Sequence, residues 1–463
     1  MSVGVFNAEA QRRRGSRRAS GARDSSEPSR AQASAERGEV KASGVGWLGD
    51  VPEGWKCRKV FGLFTENSTK NTQLLFRRAM QFNYGTIVDK NESFETEDVK
   101  EIYSRYTVLK SGDIVINGLN LNYDLVSQRV AIAPKDGIIT SAYIAITARD
   151  NVCPEYYCYL FKAMDSKKMF HGMGTGVRLT LSFKELRNVV LPFPPLPEQE
   201  AIVKYLDEAT GKIDKAIEAE EKMVALLQER REIVINEAVG GGQDFNAETQ
   251  RRGVRRDVKP SGIAWLGDIP KVWDVKYGKC IFVENTLKNR ANDDKTVLSL
   301  SYGKIIVKKS IDEGLVPEEY SSYQVLSPGD IVVRCTDLQN DQTSLRIGFV
   351  ENDGIITSAY LGLKVNEGYS PRFIFYFLHA WDVSKEIYRY GSGLRQSLSW
   401  EDFKYLPIVV PPLPEQEAIV KRLDEETGKI DRAIAVKRRQ IELLRERREI
   451  IINEVVTGKV KVA

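Results

Sequence analysis

The feature that most constrains the fold is a 44-residue run that the chain contains twice. Leu196 to Val239 reads LPEQEAIVKYLDEATGKIDKAIEAEEKMVALLQERREIVINEAV, and Leu413 to Val456 repeats it without a gap, identical at 30 positions. A repeat of that length makes the protein an internal duplication, so the two halves are expected to share one architecture. Both copies space their apolar residues by three and four, the period of one helix face. In the first copy Ile202 and Leu206 lead into Ile213, Ile217, Met223, Val224, Leu227 and Val234; the second offers Ile430, Ile434, Ile441, Leu444 and Ile451. Such a stripe requires burial, and the chain itself supplies a matching one. The two helices are therefore expected to pair like a coiled coil, with an ordinary core helix as the plain alternative.

Local chemistry marks the helix starts. Pro197 and Pro414 suit a first helical position that needs no amide donor, and the glutamates behind them complement the positive helix end. Gly211 and Gly428 interrupt the pattern at a cost of about 1 kcal/mol each relative to alanine, so a joint or kink is expected there. From Gly211 to Ala238 the run would extend about 40 Å, comparable with one turn of B-DNA at about 34 to 36 Å.

With 463 residues, 42% of them hydrophobic, and no apolar run long enough for a bilayer, the expectation is a soluble chain of two or more domains with no membrane contact. The net charge of +4 does not argue for nucleic acid. Residues 1–41 hold eight arginines and one lysine against five acids, which accounts for all of it. Any DNA surface must come from local segregation of charge and polarity. Five cysteines without paired spacing and only two histidines fit a reducing cytoplasm and argue against a zinc site. Residues 1–42, rich in Arg, Ser, Ala and Glu, read as a disordered tail. Part of the tail, FNAEAQRRR at Phe6 to Arg14, returns as FNAETQRR at Phe245 to Arg252, within a glycine-rich insertion over 240–257 that reads as linker.

The remaining sequence is also duplicated. VKASGVGWLGDVPEGW (Val40 to Trp55) matches VKPSGIAWLGDIPKVW (Val258 to Trp273), with the tryptophans expected to anchor this opening segment on a core. EIYSRYTVLKSGDIVI matches EEYSSYQVLSPGDIVV, in which Ser111-Gly112 and Pro328-Gly329 read as turns into buried strands. Short strands, turns and a few helical patterns imply a mixed α+β domain of about 150 residues in each half. Between the shared strands the copies diverge: NGLNLNYDLVSQR (Asn117 to Arg129) faces RCTDLQNDQTSLR (Arg334 to Arg346). Asn and Gln pair with adenine edges and Arg with guanine, so these loops are candidate base readers, the alternative being ordinary solvated loops. The residues singled out are Asn117, Asn120, Asn122 and Arg129 in the first half and Arg334, Gln339 and Arg346 in the second. Tyr84 and Tyr302, each before a glycine, join them. So do Thr175 and Arg178 of GMGTGVRLTLSF, with Arg395 and Gln396 of GSGLRQSLSW, where glycines permit close backbone approach or a turn opening a helix.

Taken together, WLGDVP and WLGDIP, the GTGVR and GSGLR turns, and FPPLPEQ (Phe193 to Gln199) with VPPLPEQ (Val410 to Gln416) resemble the DNA specificity subunit of type I restriction-modification enzymes. The resemblance extends from Val40 to Lys459. It implies two target recognition domains, each reading half of a bipartite double-stranded DNA site, at 43–195 and 258–412. Between them it implies two antiparallel conserved helices, at 196–239 and 413–457, related by a pseudo-two-fold axis, with a short C-terminal tail at 458–463. The helices would also dock modification subunits, expected to be two, and restriction subunits would join the assembly. The long N-terminal tail and the insertion depart from the family pattern.

No catalytic constellation accompanies that resemblance. Phe193-Pro194-Pro195-Leu196 has the wrong ends for an adenine methyltransferase motif. Gly211-Lys212 lacks both the first glycine and the hydroxyl of a phosphate-binding loop. The chain reads as a non-catalytic component that binds no cofactor or metal itself, with S-adenosylmethionine, ATP and magnesium held by partner subunits. Two rival classes remain: a self-contained methyltransferase or nuclease, and a coiled-coil scaffold without sequence-specific DNA contact.

Overall fold

The computed structural model describes residues 39–90, 96–123, 128–242, 257–292, 296–308, 319–341, 343, 345–390 and 397–462. The tail before residue 39, most of the 240–257 insertion, Arg395 and Gln396 lie outside the described residues. The chain divides into two compact units, one running to Ile213 and taking in Glu446–Ala463, the other comprising Asp214–Arg445.

In the first unit, β1 (Val40–Ala42) and β2 (Asp50–Pro52) form an antiparallel hairpin. It delivers Trp55 into the core, edge-on to Tyr156 with ring centroids 6.5 Å apart. Ten further strands follow: β3 (Lys56–Lys59), β4 (Phe64–Glu66), β5 (Met80–Asn83), β6 (Thr86–Asp89), β7 (Thr107–Leu109), β8 (Ile114–Ile116), β9 (Val130–Ile132), β10 (Gly137–Ile139), β11 (Ile144–Ala148) and β12 (Val190–Phe193). The central sheet is antiparallel in the order β4-β11-β8-β9. Strand β8 is apolar throughout because both faces of this sheet are covered. Ile114 and Ile116 face the main core beneath helix α1 (Pro154–Ser166), whereas Val115 faces a smaller core of Met80, Ile87, Leu109 and Ala145. Gly112, at φ 91°, makes the turn that leads into it.

The second unit repeats this plan. Hairpin β13 (Val258–Pro260) and β14 (Asp268–Pro270) precedes buried Trp273, and β15 (Asp274–Tyr277) pairs with a late strand at Pro407–Val410. Its central sheet contains β16 (Phe282–Glu284) and is flanked by hairpin β17 (Leu298–Ser301) and β18 (Lys304–Val307). Ile331 and Val333 face the main core and Val332 the smaller one, matching Ile114, Ile116 and Val115. The architecture is mixed α+β, duplicated, with one long helix closing each copy.

Those helices are α2 (Leu196–Val239) and α4 (Leu413–Val456), the latter following α3 (Pro371–Val383). The glutamine of each PLPEQ run explains why these helices start where they do. Gln199 is fully buried; its amide donates to Pro194 O at 2.8 Å and its carbonyl accepts from Cys153 N at 2.9 Å, at the start of α1. Gln416 does the same with Pro411 O and Ser370 N, both at 2.8 Å. One buried side chain thus ties each long helix to the shorter helix before it.

Each unit takes the beginning of one long helix and the end of the other into its core. Ile202 and Leu206 of α2 share the first core with Ile452, Val455 and Val456 of α4. Ile419 and Leu423 of α4 share the second with Val234, Ile235, Ala238 and Val239 of α2. Within the second unit the two helices run antiparallel. Glu220 meets Lys437 at 2.9 Å and Arg231 meets Asp431 at 3.2 Å, so the partner number falls as the α2 number rises. Of the residues expected to pair, Ile213, Val234, Ile434 and Ile441 are buried, while Ile217, Val224, Leu227, Ile430, Leu444 and Ile451 are half-buried. Met223, which the periodicity also placed in the stripe, is 44% exposed, because it sits one position off the contact line. The joint expected at Gly211 and Gly428 does not form: helix runs unbroken through both glycines, and a Cβ on Gly211 would touch nothing within 4 Å.

Candidate nucleic-acid interface

Arg129 and Arg346, the two coincident arginines of the divergent loops, are corrected by the structure. They are 1% and 0% exposed and face their own loops. Arg129 Nη1 donates to Leu119 O at 2.8 Å and to Asn117 O at 3.2 Å, and Nη2 to Asn120 O at 3.4 Å. Arg346 repeats this with Thr336 O at 2.7 Å, Arg334 O at 3.3 Å and Asp337 O at 3.0 Å. Their backbone amides donate to Asp165 Oδ2 at 2.7 Å and Asp382 Oδ2 at 2.6 Å, carboxylates near the ends of α1 and α3. Burial pushes both carboxyls above their ordinary values, partly offset by those amide bonds. An interior guanidinium committed to carbonyl oxygens cannot reach a base edge; these arginines brace the loops from within.

What the bracing presents differs between the units. In the first, Asn120 and Asn122 are exposed, whereas Asn117 is half-buried and accepts from Leu119 N at 3.1 Å, so its side chain serves the turn. The glycine turn is bolted to the same loop. Leu121 N donates to Leu179 O at 3.1 Å, Leu181 N donates to Gly118 O at 2.8 Å, and a Cβ on Gly174 would come within 2.9 Å of Leu121 Cδ1. A backbone bridge between Thr175 and Thr180 closes the turn as a small hairpin with Thr175 and Arg178 exposed, not as a helix start. The nearby helix begins instead at the Ser182 capping box. Hairpin β5–β6 completes the edge: a Cβ on Gly85 would come within 2.9 Å of Gln128 Cβ, and beside it Tyr84 is 77% exposed.

In the second unit Tyr302 lies next to Gly303, whose added Cβ would meet Leu345 Cβ at 3.0 Å. Gln339 is exposed, but Arg334 is half-buried and paired with Asp341 at 3.1 Å, which occupies the guanidinium that was expected to read guanine. Leu398 N donates to Cys335 O at 2.9 Å, the counterpart of the Leu181 to Gly118 bond. Sequence reasoning missed Tyr123, 76% exposed within the first loop, and Gln128 and Asn340, both exposed. An aromatic residue inside an otherwise polar loop was the available signal for Tyr123.

The arrangement offers exposed carboxamides, a cation and aromatic rings on a braced edge, groups that recognise rather than transform. Residues 52–222 match the family described as type I restriction modification DNA specificity domain. Within those residues lies a type I restriction modification DNA specificity domain. The matched part of the chain includes hairpin β5–β6, the braced loop, the glycine turn and the first half of α2. The chain is similar to a putative type I restriction enzyme MjaX specificity subunit of Methanocaldococcus jannaschii, at 24% identity over 90% of this chain and 96% of the relative. It is likewise similar to the type I restriction enzyme MjaVIII specificity subunit of that organism, at 25% identity over 89% and 94%. A chain solved in a study of complex assembly and conformational transition of the type I R-M system shares the fold, with a TM-score of 0.63 at 14% identity over 89% of this chain and 99% of the other. None of the described helices is long and apolar enough to cross a membrane.

Proposed function

We propose that this chain is the non-catalytic reader of a type I restriction-modification assembly. It recognises a bipartite site on double-stranded DNA, with residues 43–195 reading one half and 258–412 the other. The observation that carries this reading is one scaffold bearing two vocabularies. The same buried arginine holds the same three backbone carbonyls in each unit, while the exposed positions differ: Asn122 and Tyr123 correspond to Gln339 and Asn340. Asn122 and Gln339 suit adenine edges, and Asn120 accompanies the first. The long helices set the unspecified spacer and dock two modification subunits, with restriction subunits joining the complex in the cytoplasm. S-adenosylmethionine, ATP and magnesium belong to those partners.

The test replaces Val40 to Phe193 with the corresponding domain of a relative, followed by genome-wide mapping of methylated adenines in cells that supply the partner subunits. One half-site should change while the other and the spacer stay the same. Alteration of both halves would overturn the assignment, and no preference for target over scrambled duplex would favour a scaffold.

A further inference from the structure

Tyr84 and Tyr302 occupy the first of two loop positions in hairpins β5–β6 and β17–β18, where Asn83 faces Thr86 and Ser301 faces Lys304. Both have positive φ, 42° and 46°, and the glycines after them stand at 77° and 76°. Two successive positive values define the primed turn that suits hairpin twist, a turn that favours Asn, Asp or Gly at its first position. A bulky residue there is strained. The turn gains nothing from tyrosine, and neither does the core, since the rings are 77% and 84% exposed. The hairpins themselves are held firmly. Phe82 packs on Tyr143 with centroids 5.7 Å apart, and a Cβ on Gly348 would come within 2.7 Å of the Leu300 and Ile305 side chains. Each ring therefore projects from a fixed arm beside Gln128 or Leu345, the residue just before the bracing arginine.

The two halves differ where the braced loops expose side chains, but both keep Tyr-Gly at this tip. A residue identical in both halves does not account for a difference between half-sites; it suits what every stretch of duplex shares. We propose that Tyr84 and Tyr302 are positioning contacts on the sugar-phosphate backbone of double-stranded DNA, one per half-site, fixing the register in which the neighbouring loops read bases. This rests on the DNA-reading function proposed above.

The test uses the full chain and two probes: a random-sequence duplex pool, and the duplexes that the wild-type chain enriches from it. Tyr84→Asn and Tyr302→Asn, singly and together, place a residue suited to the turn. Their thermal midpoints should equal or exceed the wild type, by about 1–2 °C where the strain is relieved. The double variant should bind both probes roughly tenfold more weakly, which is about 1.4 kcal/mol, with the ratio between probes unchanged. Undiminished affinity, a loss confined to the enriched duplexes, or a lowered midpoint would each overturn the proposal. If the wild-type chain enriches no duplex, the DNA-reading function fails first and takes the tyrosine proposal with it.

Discussion

The phenol of Tyr156 donates a 2.9 Å hydrogen bond to the carbonyl oxygen of Val456, so a residue of α1 closes the last turn of α4 from 300 positions away in the chain. Burial pushes the Tyr156 phenol well above its ordinary value, so it remains a donor across the physiological range. The first unit's core is thus completed by the far end of the sequence.

Tyr156→Phe should leave that carbonyl buried without a partner and destabilise the first unit by about 1–3 kcal/mol. Urea unfolding followed by tryptophan fluorescence would report it, since Trp55 abuts Tyr156 edge-on. A midpoint identical to wild type would mean that the bond contributes nothing.

Arg129→Met should behave as a folding variant rather than a contact variant. With the carbonyls of Asn117, Leu119 and Asn120 no longer held, the first unit should lose about 2–5 kcal/mol and bind all duplexes poorly. Asn120→Ala should instead leave stability within about 0.5 kcal/mol and relax one base position by about 1–3 kcal/mol. Thermal unfolding alongside site selection separates the two, and the arginine's bracing role fails if Arg129→Met is stable but misreads a single base.

Sequence alone reached the long helices because their signals are local: a proline start, glutamates behind it and an unbroken apolar stripe. It also singled out the divergent loops, because a duplicated scaffold exposes its variable parts by contrast. What it could not resolve was direction. Nothing in the spacing of Arg129 says whether its guanidinium turns outward to DNA or inward to its own carbonyls, and nothing in that of Arg334, another candidate reader, shows its pairing with Asp341. The joint at Gly211 was misread for a related reason. Helix propensity is a weak prior, and core residues anchored on both sides of Gly211 keep the helix continuous.

Gly211→Ala and Gly428→Ala should each stabilise the protein by about 0.5–1 kcal/mol, since both glycines lie inside helix with room for a methyl group. Guanidinium unfolding would measure this, and a destabilised variant would reveal a conformational demand on glycine at that position.

Glu232 carries the clearest pH dependence. Burial works to raise its pKa, but the His379 ring nitrogen 2.8 Å away and Arg231 at 3.2 Å outweigh that and hold it below the ordinary carboxylate value. Below its usual pKa, about 4.3, the unfolded chain then binds more protons than the folded one. The stabilisation is complete above that value and fades as pH falls through the folded one. Glu232→Gln should cost about 1–3 kcal/mol at neutral pH, and the gap to wild type should narrow on acidification below about pH 4. A gap that stays constant from pH 7 to 3 would contradict the pairing.

The brace in each loop has a consequence for how such a protein changes over generations. Arg129 and Arg346 grip main-chain carbonyls, atoms that every amino acid carries in the same place. Those bracing bonds therefore do not depend on which side chains the loop exposes. On the DNA-reading function proposed above, substitutions at the exposed positions would change what is recognised while leaving the bracing bonds in place, so a new target would be open to a lineage one substitution at a time.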